Sequence, residues 1–432
     1  MSAERVEVRA ARGDRRVVIA HPVGGPFVRH SVMGLNNARM LEFFATTFID
    51  HRSYPLARRL KNTARAVSPA LVRQLERRAF EEIPYDRLRT RPWWELARTF
   101  SSNVLRAPVL TDLIWERGER AFDRWVAHSL PNGVDAVYTY EHAALETLLA
   151  ARARRAVAFY EQPSQHHTFF SRIVAEQTAR YPEIANSASA LVADGKAHTR
   201  NLRRDAELAA ADCIVCNSTF TRRTLVEAGI DPAKIEVTPL GFPEPDPRPP
   251  AIDGPVIFLN AGTQNLRKGL HLLYRAWREL NFRADQAELW LVGRMVLPEA
   301  TRSGLPGRVR ILDSVPRAEL LGLYGQASVF VLPSLADGFG MAVTEAMSRG
   351  LAVITTQNTA GPDIIRHGET GMIVGAGNVA ALREQMRWCV DNRDGVAAIG
   401  ARAAQAAKRW QWTDYEKSFA SIIDKRIAAA GR

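Results

Sequence analysis

The chain has 432 residues, 46% hydrophobic and 24% charged, which is too long for one ordinary core and too apolar for a disordered protein. Its net charge of +12 favours anionic partners such as nucleotides, nucleic acid or an acidic membrane surface. A solvated, arginine-rich surface, as in proteins of high-GC bacteria, would also account for most of the excess positive charge. It contains no run of roughly 20 apolar residues, no signal-peptide pattern, and only three cysteines. We therefore expect a cytoplasmic protein of two domains.

Short apolar runs in the first half predict the buried strands of a parallel sheet. These runs lie at 17–22, 41–48, 135–140, 157–160 and 213–216. Between the second and third runs, residues 52–128 are rich in Arg, Leu and Trp at helical spacing, which predicts an insertion of amphipathic helices. Most of its aromatic side chains are expected in helix–helix contacts, while its Arg and Trp residues would also suit peripheral contact with an anionic membrane.

Six prolines between Pro239 and Pro250 mark the boundary between two such units, because helices and central strands exclude this density. A second strand–helix alternation follows the boundary. Its predicted strands lie at 256–261, 288–292, 308–312, 328–332 and 351–355. The pattern predicts two doubly wound α/β domains facing across a cleft, with ligands at the carboxyl ends of the strands.

The segment from Leu332 to Gly350 carries the strongest chemical signal. A strand ends at Leu332, a loop with Gly338 and Gly340 follows, and the next helix carries Glu345. Glycines let a ligand approach the backbone, and the start of a helix offers N–H groups to phosphate or sugar oxygens. Asp337 and Glu345 are spaced so that both can face one ligand, although a helix cap at Asp337 and a solvated Glu345 would explain the pattern without a ligand.

This segment resembles the acidic-x7-acidic motif of the retaining, GT-B-fold glycosyltransferases of family 4, the glycosyl transferases group 1. The resemblance implies that Asp337 and the backbone of Gly338, Phe339 and Gly340 contact the donor sugar, and that Glu345 holds the ribose. Asp337 stands where the family usually has Glu, and Glu345 matches fully.

A second resemblance lies at residues 261–269, which are similar to the turn whose basic side chains bind the donor diphosphate in that family. Lys268 matches the family, Gly262 opens the turn, Thr263 stands where the family often has Arg, and Arg267 is a candidate for the missing cation. A surface Arg–Lys pair would be the alternative, but cations at a helix start are disfavoured by the helix dipole, which favours an anion-binding role. The segment from Val315 to Tyr324 resembles the one whose backbone contacts the nucleobase in that family.

The first domain offers weaker candidates. Gly25 lies where the family has a glycine loop beneath the donor phosphate, and a simple turn explains it equally well. Glu161 occupies the strand end where the family commonly carries a histidine that contacts the donor sugar, and His166 follows a few residues later. Cys213 and Cys216 on a predicted strand are expected to pack in the core, and no His or Cys spacing predicts a structural zinc.

The resemblance implies a GT-B fold with an acceptor-side Rossmann-like domain at 1–242, a linker at 243–252, a nucleotide-sugar-binding domain at 253–408, and a helix at 409–432 that returns to the first domain. It implies transfer of a sugar from a UDP- or GDP-sugar to an acceptor hydroxyl on a glycan, a lipid-linked acceptor or a small molecule. Retention is expected, without metal or other cofactor.

Lys268, Asp337, Glu161 and His166 are the catalytic candidates. One alternative is an inverting GT-B transferase that uses Glu161 or His166 as its base. Another is a non-catalytic nucleotide-sugar-binding or scaffolding protein, which the departures at Thr263 and Asp337 keep open. No aromatic–basic motif supports binding to nucleic acid.

Overall fold

Two parallel β-sheets, each covered by helices on both faces, organise the chain. The computed structural model describes residues 15–67, 72, 75, 76, 78–184, 196–247 and 254–431. Both sheets carry long runs of fully buried Val, Ile, Leu and Phe, as expected for parallel strands with helices on both faces. The fold class predicted from the alternation of strands and helices is thus confirmed.

The first sheet has seven parallel strands in the order β3-β2-β1-β4-β5-β6-β7. They are β1 Val17–Ala20, β2 Leu41–Thr46, β3 Leu88–Thr90, β4 Ala136–Tyr140, β5 Val157–Gln162, β6 Cys213–Cys216 and β7 Ile235–Val237. The helices of this half are α1 Pro26–Asn37, α2 Pro55–Val67, α3 Trp93–Phe100, α4 Pro108–Ser129, α5 Leu145–Ala153, α6 His167–Arg180, α7 Ala197–Ala210 and α8 Thr219–Glu227. A π-helical turn, Ser101–Leu105, continues α3.

The second sheet has six parallel strands in the order β10-β9-β8-β11-β12-β13. They are β8 Val256–Ala261, β9 Ala287–Val292, β10 Arg308–Leu312, β11 Val329–Leu332, β12 Ala352–Thr356 and β13 Met372–Val374. The helices are α9 Leu270–Leu280, α10 Arg317–Tyr324, α11 Met341–Ser348, α12 Gly361–Ile364, α13 Val379–Asp391, α14 Arg393–Ala407 and α15 Trp412–Ala429. The order reverses between β8 and β11, where open sheets of this kind bind ligands.

The predicted helical insertion at 52–128 is mostly helical, but it also contributes a strand. This strand, β3, lies at the sheet edge and pairs with β2. It was not predicted, because the residues around it have helical spacing. Trp94 makes the expected helix–helix contact, against Gly118 of α4, whereas Trp115 contacts His142 in the loop after β4 and Trp125 packs on the core of the first domain. Leu71, which also supported the helical pattern, lies outside the described residues.

The C-terminal helix α15 packs on the first domain rather than on the second. The hydroxyls of Ser31 and Tyr415 are 2.9 Å apart, and His30 Nδ1 lies 2.8 Å from the Glu416 carboxylate. A Cβ at Gly34 would lie 2.7 Å from Glu416 O, so glycine lets the two helices approach closely. Over the residues that can be described, no helix is both long and apolar enough to span a bilayer.

The chain crosses between the domains twice, and the two crossings touch. Phe242 pairs with Gln411 in a parallel bridge, and its N–H donates to Trp410 O at 2.9 Å. The Trp410 indole N–H donates to Pro239 O at 2.9 Å. Residues 248–253 of the proline-rich region lie outside the described residues. Ahead of them, the Ser348 hydroxyl on α11 donates to Pro243 O at 3.0 Å, and the Asp246 N–H donates to Ser348 O at 3.0 Å.

Candidate functional site

The basic turn after β8 is held in shape by its own buried amides. Gly262 has a φ of +135°, which glycine adopts readily. The buried Gln264 side chain donates to Asn260 Oδ1 at 2.9 Å and to Gly262 O at 3.0 Å. Asn265 Oδ1 accepts from the Lys268 N–H at 3.0 Å. These bonds fix the direction of the turn at the carboxyl end of the second sheet, with Thr263 half-buried within it.

A close backbone contact joins this turn to the loop after β11. Gly269 has a φ of +71°, and a Cβ there would lie 1.9 Å from Pro333 O. The Leu335 N–H donates to Arg267 O at 2.9 Å. The two segments that the sequence singled out, separated by some sixty residues of chain, therefore form one continuous surface.

Asp337 is the centre of that surface. Its carboxylate pairs with the Lys268 ammonium through one oxygen and with the Arg267 guanidinium, at 3.1 Å, through the other. Burial raises the pKa of Asp337, but the charges of Lys268 and Arg267 outweigh it and hold the pKa below its usual value. The carboxylate is therefore ionised, and the cluster of two cations and one anion has a surplus of positive charge.

The glycine loop contacts the first domain directly. A Cβ at Gly338 would lie 1.9 Å from Pro163 O, and the Ser218 hydroxyl donates to Gly338 O. The Phe339 side chain is buried in the core of the first domain, so only its backbone remains for a ligand. Gly340, with a φ of +83°, precedes the first residue of α11.

Glu345 lies in the second turn of α11 and is oriented by two residues of α10. Its carboxylate accepts from Arg317 at 2.8 Å and from the Tyr324 hydroxyl at 3.4 Å. Burial and the charge of Glu345 raise the pKa of Tyr324 well above its usual value, so the hydroxyl stays a donor. Val315, half-buried, packs just ahead of α10.

Glu161 lies in a buried tyrosine cluster at the end of β5. It is 2% exposed, and its carboxylate accepts from the Tyr138 hydroxyl at 2.7 Å. Burial raises its pKa to about 7, against the opposing effect of hydrogen bonds from Tyr138 and Tyr140. A side chain so enclosed touches the protein core rather than an open cleft.

His166 begins α6 and caps it, because its Nδ1 accepts from the Thr168 N–H at 3.3 Å. Its Nε2 lies 3.4 Å from the Asp205 carboxylate, which also pairs with His167 at 2.7 Å. In the described part of the chain this is the one group whose imidazole and carboxylate atoms, all within 4.8 Å of one another, are close enough to share a metal ion. Burial lowers the pKa of His166, and the charge of Arg204 lowers it further. Both this charge and the positive end of the helix dipole disfavour a metal cation at this position.

Gly25 is the residue before α1, at the carboxyl edge of the first sheet. Sequence reasoning missed that Arg317 and Tyr324 orient Glu345. Arg204 bonds Glu141 at 3.0 Å and the His142 ring at 2.7 Å, beside the end of β4. Nothing in the sequence links Arg204, which lies on α7, to this strand end.

The arrangement of the two sheets defines a GT-B fold, and solved structures share it. Anabaena HepE in complex with UDP has a TM-score of 0.60 at 15% identity, covering 95% of this chain and 100% of that one. Sucrose-phosphate synthase from Thermosynechococcus elongatus has a TM-score of 0.58 at 17% identity, covering 96% and 100%. Identities this low establish the fold alone.

Within that fold, residues 255–392 match the model of the glycosyl transferases group 1 family. The chain is 26% identical over 173 residues to the D-inositol 3-phosphate glycosyltransferase of Corynebacterium efficiens, covering 38% of this chain and 41% of that protein. It is 31% identical over 133 residues to a GDP-mannose:cellobiosyl-diphosphopolyprenol alpha-mannosyltransferase of Komagataeibacter xylinus, covering 31% and 34%. The chain thus spans less than half the length of these curated relatives, and the match to the family model lies in the second domain.

Proposed function

We propose that this protein is a glycosyltransferase that moves a sugar from a nucleotide-diphosphate donor to an acceptor hydroxyl, with retention and without a metal ion. The observation that carries the proposal is the cluster of Lys268, Arg267 and Asp337 against the glycine loop, at the carboxyl end of a second sheet that matches a glycosyltransferase family. The relatives' names support a nucleotide-sugar donor such as a UDP- or GDP-sugar.

The donor diphosphate fits the positive surplus of this cluster. Lys268 and Arg267 neutralise the charge that develops on the leaving phosphate, which is the main requirement of such a transfer. Asp337 holds both cations in position before the donor arrives. It then accepts from a sugar hydroxyl as the cations turn toward phosphate.

The remaining donor contacts follow from the same edge of the sheet. Glu345, held by Arg317 and Tyr324, is placed to accept from ribose hydroxyls. The backbone from Gly338 to Gly340 approaches the sugar closely because it has no Cβ at either glycine.

In the proposed reaction the acceptor oxygen forms a bond to the anomeric carbon on the face from which the diphosphate leaves. The bond from that carbon to the phosphate oxygen breaks, and the acceptor proton passes to the leaving oxygen. No protein base is required, which agrees with the enclosed position of Glu161. An inverting route would instead need a base, either His166 or Glu161, whose pKa of about 7 suits a base but whose carboxylate would have to reach the cleft.

The first test combines a donor screen with one substitution. A thermal-shift screen against nucleotide sugars identifies the donor, since a ligand in excess of its dissociation constant raises the melting temperature. Lys268→Ala is then expected to lower sugar transfer by roughly 100-fold or more, in line with the loss of one charge-stabilising donor. The exposed Lys408→Ala is the matched control and should transfer at the wild-type rate.

Near-normal transfer by a folded Lys268→Ala variant would overturn the assignment. Donor binding without release of nucleotide diphosphate, with any acceptor tested, would favour a scaffolding protein. The anomeric configuration of the product, read by NMR, decides between retention and inversion.

We also propose that the protein works in the cytoplasm. Its three cysteines are free and buried. Burial raises the pKa of the Cys213 and Cys216 thiols to about 12, so neither is poised for redox chemistry. Expression with a fluorescent fusion and cell fractionation would locate the protein, and recovery from a secreted fraction would contradict this placement.

A further inference from the structure

A short segment of the helical insertion exposes large apolar side chains to solvent. Six of the thirteen exposed large hydrophobic residues in the described part of the chain lie within residues 93–110. They are between 41% and 83% exposed, and we call them the apolar stripe: Trp93, Phe100, Val104, Leu105, Val109 and Leu110. Single exposed hydrophobics need no explanation, but a cluster within eighteen residues does.

One face of α3 exposes apolar side chains to solvent. Its apolar residues Trp93, Phe100 and, in the following π-helical turn, Val104 recur at the spacing of one helix face, and that face points to solvent. The inward-facing residues include Trp94, which lies against Gly118, and Glu95, which is 6% exposed and pairs with Arg78 and Arg98. The ion pairs of Glu95 fix the helix in this orientation, so the exposure of the stripe is built into the packing.

Positive charge borders the stripe. A groove of about 490 Å³ beside it is lined by Arg98, Arg106, Thr111, Asp112 and Trp115, among others. Arg106 makes no ion pair with any residue that the structure describes, and it lies between Leu105 and α4 in a left-handed conformation. Arg91 and Arg117, near the two ends of the segment, are also exposed.

We propose that this surface docks onto an anionic lipid bilayer. The apolar stripe enters the boundary between headgroups and acyl chains, and Arg106 binds lipid phosphates from the groove. Apolar side chains flanked by arginines are the composition of an interfacial membrane-binding element. A symmetric pairing of two copies through this surface would bring their exposed Arg106 and Arg91 side chains together, and like charges oppose such a contact.

This inference concerns binding alone and holds whether or not the protein transfers sugar. It extends the expectation that the basic region 52–128 touches a membrane by assigning the contact to residues 93–110. Most of the tryptophans in that region are packed against neighbouring elements, and Trp93 is the exception, being 68% exposed.

The test is co-sedimentation of the full chain with vesicles of phosphatidylcholine alone or mixed with phosphatidylglycerol. We expect binding to the anionic vesicles, weakening as salt rises, and at least tenfold weaker binding by the triple variant Phe100→Ser/Val104→Ser/Val109→Ser. The matched control carries the same change at three exposed apolar positions elsewhere in the first half, Leu149→Ser/Leu202→Ser/Val226→Ser, and should bind like the wild type. Arg106→Ala should lose most of the preference for anionic vesicles.

Thermal melts and far-UV circular dichroism establish that each variant is folded. The proposal fails if the wild type does not sediment with anionic vesicles, or if the two triple variants lose binding equally. Equal binding to both vesicle types would overturn the role of Arg106. Self-association in light scattering that only the stripe variant abolishes, without vesicle binding, would assign the surface to a second copy of the chain.

Discussion

Asp337 acts as a fixed counter-ion for two cations that would otherwise repel each other in a half-buried site. Lys268 and Arg267 are adjacent in sequence, and a carboxylate on a separate loop bridges them. The sequence indicated each of the three residues through a motif, but their mutual pairing depends on the close contact of Gly269 with Pro333 and is not visible in either motif. The motifs therefore predict which residues belong to the site, and the packing of the two loops determines that Asp337 forms ion pairs with both cations.

Glu161 shows the limit of residue-level prediction. Its place at a strand end made it a catalytic candidate, yet Tyr138 on the neighbouring strand and Tyr415 on the returning helix enclose it. Burial depends on side chains far along the chain, which spacing within one segment does not reveal.

The raised pKa of Glu161 predicts a specific pH dependence of stability. Its pKa is about 7 in the folded protein against an ordinary value of 4.5, so between these values the folded state holds a proton that the unfolded chain has released. Stability contributed by this group is therefore present below about pH 4.5 and is lost as the pH rises to 7, by roughly 3 kcal/mol. Glu161→Gln should equal the wild type near pH 4 and exceed it at pH 8, measured by urea unfolding.

Glu176→Gln, an exposed glutamine substitution on α6, serves as the control and should show no such divergence. Glu207, whose pKa burial also raises to about 7, contributes equally to all three proteins and cancels in the comparison. A constant difference between Glu161→Gln and the wild type at every pH would contradict the assigned pKa.

Elements were predicted best where burial on both faces made a strand a continuous apolar run. The predicted runs at 213–216 and 256–261 coincide with the buried strands β6 and β8. The strand β3 was missed because it is three residues long and carries a single apolar side chain, Leu88. An edge strand is defined by its neighbour's hydrogen bonds, which the sequence does not show.

The contact between the glycine loop and the end of β5 makes a prediction at this scale. In Gly338→Ala the added methyl group would meet Pro163 O at 1.9 Å, so the loop and the first domain must separate. We expect sugar transfer to fall at least tenfold, because a misplacement of about 1 Å in a positioned site costs far more than that. Activity with the donor found by the thermal-shift screen is the measurement.

Gly322→Ala on α10 is the matched control, since a Cβ there has no neighbour within 4 Å. It should retain the wild-type rate. Full activity of Gly338→Ala would show that the contact between the two domains at this loop is not part of the working geometry.

At the scale of the whole molecule, the returning helix was predictable from its resemblance to other chains, but the contact between the two crossings was not. Gly241 lies at that contact, where a Cβ would be 2.4 Å from Trp412 Cα and 2.5 Å from Trp412 N. Because both neighbours are backbone atoms, Gly241→Ala should lower the free energy of unfolding by about 1–3 kcal/mol, the usual cost of overpacking. Calorimetry compares it with Gly322→Ala, which should melt like the wild type. An unchanged melting temperature would mean that the crossings can part freely.

The adjacency of these two crossings has a mechanical consequence. Two bodies joined by one flexible strand can turn in any direction, whereas two joined by a pair of strands bonded side by side can swing mainly about the line that the pair defines. Pro239, Phe242, Trp410 and Gln411 supply that line. The contact between Gly338 and Pro163 is not part of this line, so a rotation about the line would separate these two residues. The donor would then enter and the product leave through one rotation of the two domains, and the same residues would meet again in the same register each time the domains close.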